Sequence, residues 1–176
     1  MRIRRRRGFE IRDLAEHVAF ANFEHMHLLT YMQLADSKAS VFLAVTSGAI
    51  AYIVGHYGLG WLWPEHVTAN LVVLASATTM LGISAAYALA VIVPRFGSRA
   101  HSVIAFPAVL RRPSAREYAA VVRSRSAPEL FEDQMRYCFD LAGTCGRKYR
   151  LLDRSLVTGA IGYAALLAAL VMLWGG

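Results

Sequence analysis

Three long stretches of this 176-residue chain contain no Asp, Glu, Lys or Arg. They cover residues 39–64, 66–94 and 155–176, which are 26, 29 and 22 residues long. A helix of about 20 apolar residues crosses the hydrocarbon core of a bilayer, which is about 30 Å thick. The chain is also 56% hydrophobic, above the roughly 45–50% of soluble domains. The sequence therefore predicts three transmembrane helices.

Glu65 alone separates the first two stretches. The segment 57–66 around it combines Gly, Pro and Trp, which is typical of a short turn at a membrane surface. We therefore expect spans 1 and 2 to form a hairpin over residues 39–94, and span 3 to occupy residues 155–176.

The positively charged residues lie on one side of these spans. Seven of the nineteen Lys and Arg residues occur in residues 1–38 and the other twelve in residues 95–154. The positive-inside rule therefore places both segments in the cytoplasm and the C-terminus outside. We interpret the net charge of +7 as the result of basic residues that bind an anionic inner leaflet. A lipid bilayer, and not nucleic acid, is the expected partner, because no nucleic-acid motif accompanies the arginines.

The N-terminal segment 10–38 has the periodicity of an amphipathic helix. Nine residues, all apolar except His25, recur at alternating spacings of three and four. This spacing is typical of a helix that packs along another helix. No Gly or Pro lies between Phe9 and Ser47, so this helix is expected to continue into span 1. We interpret His25 as a packed histidine rather than a pH sensor. This expected seam comprises Ile11, Leu14, Val18, Ala21, His25, Leu28, Met32, Ala35 and Ala39.

Two capping boxes predict helices in the segment 95–154. Ser114–Glu117 is expected to open a short helix to about Ser124, and Ser126–Glu129 a longer one. Gly143 and Gly146 weaken the longer helix and suggest a bend below span 3. Its apolar face is expected to contain Phe131, Cys138, Ala142, Cys145, Tyr149 and Leu152. Its solvated face is expected to contain Asp133, Arg136, Asp140, Arg147, Arg150 and Arg154.

The predicted fold is therefore an all-α integral membrane protein with three transmembrane helices. A helical cytoplasmic layer is formed by an N-terminal arm helix (1–38) and by the region 95–154, with the transmembrane segments at 39–94 and 155–176.

Small and hydroxyl residues interrupt the apolar spans. Small residues allow close approach of helices in lipid. The hydroxyls of Ser76, Thr78 and Thr79 either line a polar path in an oligomer or, more commonly in membrane helices, bond to their own backbone. The small residues are Ala44, Gly48, Ala51 and Gly55 in span 1, Gly82 and Ala86 in span 2, and Gly159 and Gly162 in span 3.

The sequence offers little for catalysis. It contains no Gly-rich phosphate loop, no HExxH and no Gly-x-Ser-x-Gly. We therefore expect no enzyme activity, no catalytic residues, no cofactor and no metal site.

Asp36 and Lys38 lie where the arm helix meets the lipid. A charge at this point must stay at the interface or be paired within the protein. Asp36 is expected to pair with Lys148 or Arg147 if the helices form a bundle. The two charges are either a stop marker with a snorkelling lysine, or a junction that couples the cytoplasmic part to the span.

Four segments in this order give the chain a resemblance to a known family. They are Leu34-Ala-Asp-Ser-Lys-Ala-Ser40, Ser114-Ala-Arg-Glu-Tyr118, Leu130 to Gln134, and Lys148-Tyr-Arg-Leu-Leu152. From about residue 10 onward the chain resembles the Pycsar transmembrane effectors of bacterial antiphage defence. The resemblance implies a multi-pass inner-membrane protein that senses cyclic UMP or cyclic CMP, made by a pyrimidine cyclase. The nucleotide, an activating ligand rather than a cofactor, leads to membrane disruption and abortive infection.

The resemblance gives no defined pocket for the nucleotide, so candidates come from its chemistry. Arginine and lysine bind a phosphate, and tyrosine rings stack on a base. Lipid headgroups or water are the alternative contacts of these cations. A homo-oligomer is expected, because three spans of one chain cannot enclose a wide pore. The candidates are Arg136, Arg147, Lys148 and Arg150 for the phosphate, and Tyr31, Tyr137 and Tyr149 for the base.

Two other functions are compatible with the sequence. The first is a constitutive membrane scaffold or small subunit that anchors a cytoplasmic partner, and the second is a membrane-embedded enzyme. The scarcity of polar residues near the spans disfavours the enzyme.

Overall fold

The computed structural model describes residues 3–58, 68–93, 103 and 109–174, with side chains from residue 15 to residue 173 within those ranges. In these ranges the chain is helical and contains no strand. Four helices lie entirely within these ranges, namely α1 (Ile3–Tyr57), α2 (Ala69–Ile92), α3 (Ala115–Arg123) and α4 (Ala127–Trp174). The predicted turn at 57–66 lies almost entirely outside the described residues.

Among the described residues, three helices are long and apolar enough to cross a membrane. They are the helix over Ala15–Tyr57, the helix over Ala69–Ile92 and the helix over Ala127–Leu173. The prediction of an all-α protein with three membrane-spanning helices is therefore confirmed.

Helices α1 and α4 are far longer than a bilayer requires. Helix α1 has 55 residues and α4 has 48, which at 1.5 Å per residue gives lengths of about 80 and 70 Å. The expected continuation of the arm helix into span 1 is confirmed, because α1 is uninterrupted. Helix α4 is likewise uninterrupted at Gly143 and Gly146.

Both predicted helix starts are capped by their serines. The side chain of Ser114 accepts a hydrogen bond from the backbone N–H of Glu117 at 3.2 Å, ahead of α3. The second box is reciprocal, since the backbone N–H of Ser126 donates to Glu129 Oε2 at 2.7 Å and that of Glu129 donates to Ser126 Oγ at 3.4 Å. These bonds satisfy N–H groups that a helix start leaves without partners.

The chain divides into two compact units. The first unit contains the described residues of 1–32 and 95–146, and the second contains those of 33–94 and 147–176. These units reflect packing within the chain, whereas the predicted domain limits 1–38, 39–94, 95–154 and 155–176 reflect the membrane surface. The domain limits therefore stay a prediction.

The second unit packs α2 against parts of α1 and α4 through two apolar clusters. In each cluster, buried residues from all three helices meet. The first cluster is Ile53, Leu74, Ala77, Leu81, Leu166 and Ala169. The second cluster is Ala35, Ala39, Val91 and Leu152.

Two glycines bring α4 close to α2, as the small-residue pattern predicts. A Cβ at Gly159 would lie 2.9 Å from Ser84 Oγ, and one at Gly162 would lie 3.0 Å from Leu81 Cγ. Gly48 and Gly55 on α1 differ, because a Cβ there would have nothing within 4 Å.

The seam predicted on α1 is confirmed where side chains are described. Ala21, Ala35 and Ala39 are fully buried. The four other described members are half-buried: Val18, His25, Leu28 and Met32. The side chains of Ile11 and Leu14 lie outside the described set.

Two assignments on α4 were wrong. Ala142 is exposed and Leu141 is half-buried, because the inward face steps three residues from Cys138 and then four to Cys145. Asp133, expected on the solvated face, is only 8% exposed. Its Oδ2 accepts the backbone N–H of Val103 at 2.7 Å, and a hydrogen-bonded carboxylate tolerates such burial.

Candidate functional site

Asp36 of α1 and Lys148 of α4 form an ion pair within the second unit. Lys148 Nζ donates to Asp36 Oδ1, and the side chains of Lys148 and Asp36 are 15% and 39% exposed. Asp36 was predicted to pair with Lys148 or Arg147. This contact confirms the prediction and identifies Lys148 as the partner.

The ion pair adjoins the second apolar cluster. Asp36 follows Ala35 in α1, and Ala35 packs in the cluster with Val91, which is one residue from the end of α2. The pair therefore lies where the packing of α2 on α1 and α4 ends. Removing one partner would leave the other partly buried and unpaired, at a cost of about 1–2 kcal/mol, between exposed and buried ion pairs.

The other residues of this junction differ in exposure. Lys38, Arg147 and Arg150 are exposed. Tyr149 is half-buried and packs against the second cluster. Arg147 and Arg150 are three positions apart on α4, a spacing that puts two side chains on one side of a helix.

In the first unit, α1 and α4 run parallel. The side-chain amide of Gln134 donates to Asn22 Oδ1 at 2.6 Å. The rings of His25 and Tyr137 stack with their centroids 5.5 Å apart. In each pair the two residues are 112 positions apart in the sequence. Residue numbers therefore increase in the same direction along both helices. His25 is therefore a packed residue, as interpreted from the sequence.

The remaining candidates of the first unit are more accessible. Arg136 is exposed. Tyr31 is 43% exposed and its ring meets the ring of His27 edge-on at 4.7 Å between centroids.

The seven ligand candidates therefore divide between the two units. Arg136, Tyr137 and Tyr31 belong to the first. Arg147, Lys148, Tyr149 and Arg150 belong to the second. At least four of the seven have a contact within the chain that a ligand would replace or extend. These contacts are Tyr31 with His27, Tyr137 with His25, Lys148 with Asp36, and Tyr149 with the second cluster.

Cys138 is buried beside α1 in the first unit. Its Sγ lies 3.8 Å from the backbone oxygen of Ala21. Burial raises the pKa of the Cys138 thiol, and the Glu24 carboxylate raises it further. The thiol is therefore protonated, and unreactive, near neutral pH.

Sequence reasoning missed a pair of serines in the second unit. Ser84 Oγ donates to the backbone oxygen of Ser155 at 2.7 Å, and Ser155 Oγ donates to that of Ser84 at 2.9 Å. Both serines are fully buried. Small residues near Gly159 were the available signal, but the pairing depends on the register of α2 against α4.

The other span-2 hydroxyls bond to their own helix. Ser76, Thr78 and Thr79 donate to the backbone oxygens of Val73, Leu74 and Ala75 at 2.7, 2.9 and 2.8 Å. This favours the local interpretation of these hydroxyls over a polar path. Among the described side chains, no three His, Cys, Asp or Glu residues come together where they could hold a metal ion.

The family model of the Pycsar effector protein domain matches residues 20–175. Searches of curated proteins and of solved structures found no match. The matched range contains all of the second unit described above and the Asp36–Lys148 pair. The chain therefore belongs to the Pycsar effector family of antiphage defence proteins and is a membrane protein of that family.

Proposed function

We propose that this protein senses a cyclic pyrimidine nucleotide, cyclic UMP or cyclic CMP, and then disrupts the bacterial inner membrane to cause abortive infection. It acts without catalysis and as a homo-oligomer. The N-terminus and the region 95–154 lie in the cytoplasm and the C-terminus outside, in line with the distribution of Lys and Arg. The family match carries this proposal, together with the position of the Asp36–Lys148 pair at the end of α2.

The nucleotide phosphate binds at the cationic end of the second unit. A cyclic nucleotide monophosphate has one negative charge, and Arg147 and Arg150 project from one side of α4 next to Lys148. Charge-assisted bonds to phosphate are among the stronger hydrogen bonds in proteins. The phosphate competes with the carboxylate of Asp36 for Lys148, so nucleotide binding weakens the link between α1 and α4.

That exchange couples binding to the spans. Asp36 adjoins the second cluster, so separating it from Lys148 removes a restraint on the α1–α4 packing beside Val91. A ligand shifts such an equilibrium only by its differential affinity, and a near-complete switch requires about 5.5 kcal/mol.

A buried polar atom in span 3 supports the idea that the three spans can pack in a second arrangement. The hydroxyl of Tyr163 is buried next to the first cluster and has no hydrogen-bond partner among the described residues. An unsatisfied buried donor costs about 1–3 kcal/mol. A rearranged bundle or a wetted pore recovers that energy by giving the hydroxyl a partner.

Dye release from liposomes tests the proposal. The full chain in anionic vesicles should release an encapsulated dye with cyclic UMP or cyclic CMP, and not with cyclic AMP. Arg150→Ala should weaken nucleotide binding and release. Arg123→Ala, which removes an exposed arginine at the end of α3, should leave both unchanged. Absence of both nucleotide binding and dye release in the wild-type protein would refute the proposal.

A scaffold function makes the opposite prediction in cells. A constitutive anchor would be harmless when overproduced with a pyrimidine cyclase, and a stable partner would co-purify without nucleotide. Growth arrest that requires the cyclase product would exclude it.

A further inference from the structure

The first unit carries an exposed aromatic stripe on α1. Phe20, Phe23, His27 and Tyr31 recur at spacings of three and four, on the face opposite the seam that packs on α4. The rings of Phe23 and His27 stack at 5.6 Å between centroids, and those of His27 and Tyr31 meet at 4.7 Å. Phe20 is 54% and Phe23 62% exposed. A contiguous apolar surface of this kind usually marks an interaction site.

A second exposed apolar feature lies on α4 in the same unit. Phe139 is 79% exposed, more than any other large hydrophobic side chain described. Arg136 precedes it and Gly143 follows it on the same side of the helix, and both are exposed. A Cβ at Gly143 would have nothing within 4 Å, so the ring stands on an open surface.

The parallel register within the first unit puts the aromatic stripe of α1 and Phe139 of α4 at the same level along the helix axes. Asn22 pairs with Gln134 and His25 with Tyr137, each 112 positions apart. The same offset places Phe139 level with His27, the middle ring of the stripe. It places Arg136 level with Glu24.

Charge favours contact between the two surfaces. Residues 15–32 of α1 contain Glu16 and Glu24 and no Lys or Arg. The α4 surface presents Arg136 at the height of Glu24. The acids of α4 beside it are Glu132 and the half-buried Asp140. They are level with Phe20 and Leu28, about one helical turn from the nearest acid of α1.

We propose that the α1 stripe is the docking surface for a second copy of this chain, whose Phe139 inserts between the rings of Phe23, His27 and Tyr31. Copies in one bilayer share orientation and depth, so Phe139 of each copy faces the stripe of the next at the level of His27. The contact joins two different surfaces, and such a head-to-tail contact generates a ring when the rotation between copies closes. This inference rests on the homo-oligomer of the proposed function and identifies its interface.

Photo-crosslinking of the full chain in native membranes tests the contact. Benzoylphenylalanine replaces Phe139, and isotopically labelled and unlabelled chains are co-expressed so that crosslinks between copies are distinguished from those within a copy. We expect crosslinks between copies that map to residues 20–31. The same probe in place of Ala120, an exposed residue of α3, is the matched control and should give none there.

Every other attachment site overturns the inference. Crosslinks to lipid, to another protein, or within one copy would each assign Phe139 a different contact. Crosslinks from Phe139 to Phe139 would indicate a symmetric dimer instead of a ring. Absence of crosslinks between copies, with and without cyclic UMP and cyclic CMP, would also overturn it.

A charge exchange provides a second test. Arg136→Glu alone and Glu24→Arg alone should each reduce assembly, measured by the oligomer mass in nanodiscs or detergent. Chains carrying both substitutions should recover it, because the pair is re-formed across the interface. Phe139→Ala should lower the association constant by about ten- to a hundredfold. No loss of assembly in Phe139→Ala, or no recovery in the double variant, would contradict the interface.

The outcome is separable from that of the proposed function. The crosslinks and oligomer masses require no nucleotide and no leakage. Loss of the interface with nucleotide-triggered dye release intact would refute this inference alone, whereas an intact interface without nucleotide binding would refute the sensing function alone.

Discussion

Ser84 and Ser155 donate their hydroxyls to each other's backbone oxygens across the α2–α4 contact, at 2.7 and 2.9 Å. The two serines are 71 positions apart and fully buried. In lipid, water is not available to replace such bonds, so they hold the two helices in one register.

Ser84→Ala should destabilise the membrane part of the protein. The substitution removes the hydroxyl that binds the Ser155 backbone oxygen, at an expected cost of about 0.6–2 kcal/mol. Thermal unfolding in detergent measures this loss. Ser76→Ala is the matched control, since Ser76 bonds only within its own helix among the described contacts, and it should change stability little. Equal effects of the two variants would contradict a role for the serine pair.

Gly162→Ala should separate α2 from α4. The added Cβ would lie 3.0 Å from Leu81 Cγ and 3.1 Å from the Leu81 backbone nitrogen, and that backbone cannot move aside as a side chain can. Overpacking of this kind costs about 1–3 kcal/mol. Gly143→Ala, on the same helix with open space around the new Cβ, should instead stabilise the helix by up to about 1 kcal/mol. If both substitutions shifted the unfolding midpoint in the same direction, this account would be refuted.

Asp36→Asn should release the restraint at the junction. The variant breaks the ion pair with Lys148, and we expect dye leakage from vesicles without nucleotide. Exchange of the two charges, in the double variant Asp36→Lys with Lys148→Asp, should restore the tight resting state. Lys38→Met, which removes an exposed charge two residues away, should not leak. Leakage of the exchanged pair equal to that of Asp36→Asn would show that pairing is not the cause.

Asp133→Ala should free the backbone amide of Val103. That amide donates to Asp133 Oδ2 at 2.7 Å, so hydrogen exchange at Val103 should become faster in the variant. Asp140→Ala removes another carboxylate of α4 two turns later and should leave Val103 exchange unchanged. Unaltered exchange in Asp133→Ala would contradict the bond.

The start of α4 should loosen in acid. Hydrogen bonds from the Ser126 backbone and side chain lower the pKa of Glu129, which lies well before span 3. A lowered pKa contributes stability that is fully present above the unfolded pKa of about 4.3 and is lost as the pH falls through the lower folded value. The protection of the Ser126 amide, which is its exchange rate compared with the intrinsic rate at the same pH, should therefore fall below about pH 4. Glu129→Gln should remove this pH dependence, and an unchanged profile would refute it.

The linear sequence determined the features that depend on neighbouring residues. Three spans follow from long stretches without charge, because an unpaired charge in lipid is costly wherever it occurs in a helix. The capping boxes at Ser114 and Ser126 are equally local, since their bonds join residues three positions apart. The seam on α1 follows from helical periodicity alone.

Tertiary structure decided what depends on the register between distant helices. The burial of Asp133 beside the Val103 amide, the exposure of Ala142 and the bonds between Ser84 and Ser155 all require knowing which residues distant in the sequence face each other. Periodicity gives the direction of a face but not its partner, and a shift of one residue turns a helix by about 100°. The sequence predicted that Asp36 pairs with a cation near span 3. The packing of α1 against α4 determined that this cation is Lys148.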